Sequence, residues 1–296
     1  MDVSVIIPCG KGHIKYLDEL FKALSEQTYS GKWEIILVVE ECKEAKEVVN
    51  KIKYYNELDI KVKFSDIKNP AANRNIGIKE AKGEIIAFID SDCIPYNNWL
   101  ENLITPLKEY DGAQGIDFSY NQTVIGKVQE EEQLLCLKYN LVEGCRYKFI
   151  DTKNFAIKSD ILKKVGLFDE RLVTAEDRDL GYRLFKNNFY IIQNNSAVVL
   201  HRYDEGSILN FFRRGEWYGT GDFLFNEKWF KQSSSKKLKD ILKSLKASKN
   251  YFIKIFRSPR EKRMVYLLFS AREIGRTYGK IKTLLSYKKI KTLWMH

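Results

Sequence analysis

The chain has 296 residues, 44% hydrophobic and 30% charged, a globular balance that excludes collagen-like, mucin-like and disordered classes. Its net charge of +11 is uneven: residues 228–296 carry 20 Lys/Arg against 3 Asp/Glu, a surplus of 17, and the rest is net −6. That asymmetry predicts an acidic body with a basic tail that meets a polyanion, or else a solvated lysine-rich surface.

Val3–Ile7 is a β-branched run closed by Pro8, Gly10 and Gly12, and it reads as a buried strand and loop. Leu17, Leu20, Phe21 and Leu24 recur at helical spacing. Glu34–Val39 is a second buried strand ending at Glu40-Glu41, Val48–Leu58 a helix, Ile60–Phe64 a strand and Asn73–Ala81 a helix stopped by Gly83. Glu84–Ile89 is a further buried strand that closes on Asp90. The β-α-β-α-β-α-β order implies a mixed, mostly parallel α/β sheet with helices on both faces. Ligands in such sheets bind beyond the carboxyl ends of the strands. Trp99–Tyr110, Gly126–Tyr139, Asp160–Val165 and Glu176–Asn187 read as helices, and Phe155–Ile157 and Tyr190–His201 as strands. Ser207–Phe225 is rich in aromatic residues and arginine, and Ser233-Ser234-Ser235 reads as a hinge into the tail. The expected division is a catalytic body over 1–227 and a basic amphipathic helical extension over 228–296.

The five cysteines, Cys9, Cys42, Cys93, Cys136 and Cys145, form no zinc-like spacing, and their odd number fits a reducing cytosol. The N-terminus runs straight into a strand pattern without a signal-peptide signature. The longest strongly apolar run, within Met264–Ala271, is far short of the ~20 residues that a spanning helix needs. A cytoplasmic protein is expected, with the tail offering a peripheral hold on the inner face of the cell membrane.

Asp90-Ser91-Asp92 places two carboxylates two residues apart just past a strand, where both can meet one hard cation. Glu176-Asp177 begins a helix; it complements the helix dipole or supplies a general base. His201, one of three histidines, follows an apolar strand and is either structural or a metal ligand. Arg74, at a helix start beside Asn75, either contacts phosphate, orients a carboxylate or lies on an open helix face.

Together these segments resemble the family 2 glycosyltransferases of GT-A fold, a Rossmann-like arrangement that binds nucleotide-diphospho-sugars. Val3-Ser4-Val5-Ile6-Ile7-Pro8 is similar to the family's first strand, and Trp33 to Glu40 to its second. Ala72-Asn73-Arg74-Asn75-Ile76-Gly77 through Asp90-Ser91-Asp92, then Thr152 to Ile157, Val165 to Glu170 and Glu176-Asp177-Arg178-Asp179, follow in family order. The resemblance covers roughly residues 3–203. It implies an inverting transfer of a sugar from a nucleotide-diphosphate donor to a hydroxyl on a glycan, lipid-linked or surface-polysaccharide acceptor. It implies Asp177 as base and Glu176 as its neighbour. Asp92, Asp90 and His201 would hold a divalent cation, Mn²⁺ or Mg²⁺. Pro8, Cys9, Glu40, Arg74, Asn75, Asp90, Ser91 and Asp92 would line the nucleotide-sugar site. Asp117, Asn154, Arg213, Arg214 and Trp217 are acceptor-side candidates. A cysteine at position 9 departs from the family's usual polar residue. A sugar-nucleotide nucleotidyltransferase would carry a GxGTRL-like loop, which Pro8–Gly12 lacks. Retention of Asp90, Asp92, Asp177 and His201 argues against a non-catalytic binding relative.

In the tail, Ile241, Leu242, Leu245, Phe252, Ile253 and Phe256 alternate with lysines as an amphipathic helix would. An anionic membrane, a homodimer arm and, ranked below them, nucleic acid are the open partners.

Overall fold

A computed structural model describes residues 2–142, 146–172, 174–203 and 206–291; Cys145 lies outside the described residues. Ten strands and ten α-helices are defined among them.

Strand β1 (Val3–Cys9) occupies the middle of a parallel group with β2 (Trp33–Glu40), β3 (Ile60–Ser65) and β4 (Ile85–Ile89). Between them run α1 (Leu17–Ser25), α2 (Ala45–Ile52) and α3 (Pro70–Glu80). Period-2 alternation divides β1 between two cores. Val3, Val5, Ile7 and Cys9 join α1 and α2 on one face, and Ile6 joins Ala71 and Ile78 of α3 on the other. Helix α3 starts where Asn69 Oδ1 accepts from the N–H groups of Ala71 (2.8 Å) and Ala72, with Pro70 at the first helical position.

Next come β5 (Cys93–Pro95), α4 (Trp99–Ile104), β6 (Gly112–Ser119), α5 (Val124–Asn140), and the short β7 (Leu141–Val142) and β8 (Arg146–Tyr147). They are followed by β9 (Asn154–Lys158), α6 (Ser159–Val165), α7 (Glu176–Lys186) and β10 (Ile191–His201). The eight-stranded sheet has the order β3-β2-β1-β4-β9-β6-β10-β5. Four of its seven pairings are parallel, and β9 and β5 supply the antiparallel ones.

Several elements differ from the sequence expectation: the helix expected over 48–58 spans Ala45–Ile52, and α3 begins at Pro70, where Asn69 caps it, rather than at 73. The helix expected over 99–110 ends at Ile104 and continues as a 3₁₀ turn over Thr105–Lys108, because Pro106 has no N–H to extend it. Strand β6 was not legible. Its Gln114, Asp117 and Ser119 are buried polar residues, and Gln114 spends its amide on the Asp151 N–H (2.8 Å) and the Asn154 carbonyl (2.9 Å). That hydrogen bonding replaces the apolar signal a central strand normally carries.

The chain divides into two compact units. Residues 1–122, 129–170 and 176–203 form the first, and 123–128, 171–175 and 204–296 the second. The second is built on α8 (Ile208–Phe230), α9 (Ser234–Arg257) and α10 (Arg260–Lys291). Helices α8 and α10 meet at backbone distance. A Cβ on Gly215 or Gly219 would stand 1.8 or 2.0 Å from the carbonyl oxygens of Arg272 and Arg276, and Gly275 and Gly279 face Phe212 and Glu216 reciprocally. Buried Lys280 pairs with Asp240 at 2.9 Å and Asp222 at 3.5 Å, tying α10 to α9 and α8. Ser233, expected as a hinge, is the N-cap residue of α9.

Candidate active site

Strand register gathers the chemistry of the first unit on one rim of the sheet. Asp90 and Asp92 follow the carboxyl end of β4. Strand β9 runs antiparallel to β4 with Asn154 opposite Ile89, so Asp151 and Lys153 arrive at the same rim. Strand β10 pairs with β5 so that His201 lies opposite Cys93, which brings the imidazole beside Asp92.

The His201 Nε2 and Asp92 Oδ2 atoms are 3.7 Å apart, and His13 Nδ1 approaches the same oxygen to 3.7 Å from the 3₁₀ helix over Lys11–Tyr16 that follows β1. Burial alone would raise the Asp92 carboxyl, but the adjacent imidazole of His201, with that of His13, takes it down to about 2. Asp92 Oδ1 and His201 Nδ1 are buried without a hydrogen-bond partner among the described residues. Asp92, Cys93 and His201 present ligand atoms within 4.8 Å of one another. An ionised carboxylate and an imidazole, each with an orphaned polar atom, fit a divalent cation. Burial holds the Cys93 thiol well above its ordinary range, reinforced by Asp92 and Asp90, which makes it the poorest donor of the three.

Arg74 of α3 is the hub of the acidic side. It is 5% exposed and donates through Nη1 to Glu176 (2.8 Å) and through Nη2 to Asp90 (2.8 Å). One guanidinium therefore joins the β4 end to the α7 start, the fork geometry that arginine supplies and lysine cannot. Its Cζ lies 5.8 Å from the Phe168 ring centroid. Ala175, just before Glu176, has a φ of +66°, a conformation that costs a non-glycine residue on the order of 1–3 kcal/mol and clusters at functional sites.

Asp177 is half-buried. Burial, then the charges of Glu176 and Asp151, push its carboxyl up to about 8, against the Arg178 N–H and the charge of Arg74. It lines a cavity of about 310 Å³ with Gln133, Phe149, Asp151 and Arg178. A larger cavity of about 500 Å³, among Leu24, Gln27, Trp33 and Leu58, has no histidine and none of the rim acids in its lining.

The remaining expected site residues fall into three groups. Pro8 and Glu40 stay at the rim; Glu40 accepts from the Lys11 N–H at 3.3 Å. Ser91 is buried, with its hydroxyl 3.4 Å from His13 Nδ1. Cys9 is buried too, in the core against α1 and α2, and burial pushes its thiol up to about 12.

A second group is engaged in hydrogen bonds and ion pairs inside the fold. Asn75 donates to Phe168 O (2.9 Å) and Glu170 Oε1 (2.7 Å) and accepts from the Phe168 N–H (2.9 Å), fixing that turn. Asn154, 1% exposed, donates to Ile116 O (2.8 Å) and Ala197 O (2.9 Å) and accepts from Trp99 Nε1 (2.9 Å). Asp117 accepts from the Tyr203 hydroxyl and lies 3.5 Å from Lys153. Each of these side chains holds the rim together.

Arg213, Arg214 and Trp217 make up the third group. They stand on α8 in the second unit, with Arg213 and Trp217 exposed.

Sequence reasoning passed over His13, Asp151 and Lys153. Lys153 is buried; burial works against its charge, but Asp117 and Asp151 raise it well above its ordinary value. It also bonds Asp151, which Gln133 Nε2 contacts at 2.6 Å. The available signal was the short spacing of Asp151 and Lys153 before a strand; for His13 it was a histidine shortly after the first strand, on the rim side that Asp92 shares.

The sequence profile of glycosyl transferase family 2 matches residues 4–166. Glycosyltransferase AglE of Haloferax volcanii is 28% identical over 196 residues, 62% of this chain and 63% of that protein. The chain thus spans less than two thirds of the length of such relatives. Among solved structures, the mannosyltransferase PcManGT from Pyrobaculum calidifontis, in complex with GDP-Man and Mn²⁺, aligns with a TM-score of 0.63 at 13% identity, covering 96% of this chain and 75% of that one. Residues 1–349 of Staphylococcus aureus TarS, in complex with UDP-GlcNAc, align with a TM-score of 0.55 at 17% identity, covering 98% and 92%. These likenesses show the GT-A fold.

Proposed function

The chain belongs to glycosyl transferase family 2, and from that premise we propose that it transfers a sugar from a nucleotide-diphosphate donor to a hydroxyl acceptor, with inversion and with Asp177 as general base. The observation that carries this reading is the Arg74 bridge. By holding Asp90 and Glu176 at 2.8 Å each, it fixes the base-bearing start of α7 against the donor-side end of β4.

The division of labour follows from the electrostatics. Asp92, taken down to about 2, stays anionic at neutral pH and suits a cation. Asp177, pushed up to about 8, is a far stronger proton acceptor than an ordinary carboxylate. Two carboxyls driven apart in this way mark separate roles. Asp177 takes the acceptor hydroxyl's proton as that oxygen attacks the anomeric carbon. Glu176, fixed by Arg74, keeps negative charge beside the base and sustains its proton affinity. A divalent cation held by Asp92 and His201, with Asp90 alongside, would neutralise charge on the departing diphosphate. Glu40 and Pro8 border the nucleotide, and the acceptor is a glycan, a lipid-linked sugar or a surface-polysaccharide precursor. The PcManGT complex, with its GDP-sugar and Mn²⁺ on the same fold, supports the donor class and the metal.

The test is thermal shift with UDP, GDP and dTDP, each with Mn²⁺ or Mg²⁺. At least one nucleoside diphosphate is expected to raise the melting temperature in a metal-dependent way, as a ligand of the folded state does. No response to any combination, or release of pyrophosphate rather than nucleoside diphosphate on turnover, would overturn the assignment.

A further inference from the structure

Helix α9 has two apolar faces, and only one of them is covered. On the covered face Ile241, Ser244 and Ser248 are buried, the Ser248 hydroxyl meets the Ser270 carbonyl at 3.2 Å, and Asp240 is paired with Lys280. The other face carries Leu238, Leu242, Leu245, Phe252, Ile253 and Phe256, which are 36–72% exposed. Spacings of three, four and seven residues, with Ile253 beside Phe252, line them into one stripe along the helix. Beside the stripe stand Lys236, Lys239, Lys243, Lys246 and Arg257, all exposed. None of these five has a carboxylate partner among the described residues, and the only acid on α9 is the paired Asp240.

The occupant of this surface must accept both parts. A second copy docked through the same face would cover the leucines but bring two lysine rows together. A nucleic acid would neutralise the lysines and leave the Leu and Phe side chains in water. An anionic bilayer takes the apolar stripe at the acyl boundary and the lysines among the headgroup phosphates. No helix among the described residues is long and apolar enough to cross a membrane, so the contact is a surface one. We propose that α9 is a membrane-surface helix that lies along an anionic bilayer, with Leu238, Leu242, Leu245, Phe252 and Phe256 inserted. This is independent of the reaction proposed above.

The experiment is flotation of the full chain with vesicles of phosphatidylcholine alone and of phosphatidylcholine with phosphatidylserine, each at low and high salt. The chain is expected to float with the anionic vesicles, less so at high salt, and to stay behind with the neutral ones. Two exposed-site variants, Leu242→Glu/Leu245→Glu and Lys243→Glu/Lys246→Glu, are each expected to lower the bound fraction at least about tenfold, with circular dichroism and melting temperature unchanged. Should one variant misfold, the other decides. The proposal is overturned by absence of anionic-vesicle flotation or by equal flotation with neutral vesicles. It is equally overturned if Leu242→Glu/Leu245→Glu splits a solution dimer while leaving vesicle binding intact.

Discussion

Replacing Asp177 with asparagine keeps the shape of the side chain and removes its charge, so catalysis and stability should move in opposite directions. The folded carboxyl is held at about 8 against an ordinary 3.8. Below pH 4 both states are protonated and the substitution has little effect. Between pH 4 and 8 the unfolded chain gives up its proton more readily than the folded one, and wild-type stability falls as pH rises. Above 8 the full penalty applies. Four pH units would set a ceiling of about 6 kcal/mol, and water at a half-buried carboxyl reduces this to roughly 1–3 kcal/mol. Asp177→Asn should therefore melt several degrees above wild type at pH 8 and within about a degree of it at pH 4. In turnover it should lose on the order of 10²–10⁴. Wild-type kcat/KM should climb about tenfold per pH unit up to about 8 and then level off, whereas the variant should be nearly flat. Parallel melting scans and initial-rate pH profiles read both effects. Near-normal transfer by a folded variant, or a variant less stable than wild type at pH 8, would refute the reasoning.

Asp92→Ala and His201→Ala should each weaken Mn²⁺ binding at least about tenfold by electron paramagnetic resonance titration, with Asp92→Ala the larger effect. Asn154→Ala leaves Ile116 O, Ala197 O and Trp99 Nε1 without their partner; denaturant titration should show a loss of about 3 kcal/mol or more. Gly219→Ala puts a Cβ 2.0 Å from the Arg276 carbonyl oxygen, so α8 and α10 must separate, and melting should show a cost of about 1–3 kcal/mol.

The parallel half of the sheet is legible because β1, β2 and β4 are largely apolar runs and Leu17, Leu20, Phe21 and Leu24 keep helical spacing between strands; the Asn69 cap of α3 goes unread, and the helix is expected only from Asn73. The acidic pairs are legible for a related reason: carboxylates directly after apolar strands, or opening a helix, stand out against their neighbours. What is hidden is whatever depends on partners distant in sequence. Strand β6 is disguised by Gln114 and Asp117, whose burial makes sense only with Asp151, Asn154 and Tyr203 in place. Asn75 and Asn154 are ligand-contact candidates through the family resemblance of the segments that carry them; their bonds to residues 168–170, 99, 116 and 197 come from tertiary structure alone. Gly215, Gly219, Gly275 and Gly279 do carry a sequence signal, small residues four apart in two helices, and it becomes meaningful only once the helices are paired.

The central claim is inverting transfer from a nucleotide-diphosphate sugar, and the anomeric configuration of the first-formed product tests it most directly. Once a donor has been found by thermal shift, proton NMR of the reaction with a simple hydroxyl acceptor should show a glycoside of configuration opposite to that of the donor, with release of one nucleoside diphosphate per linkage. A product that retains the donor's configuration would contradict single displacement by an Asp177-activated hydroxyl.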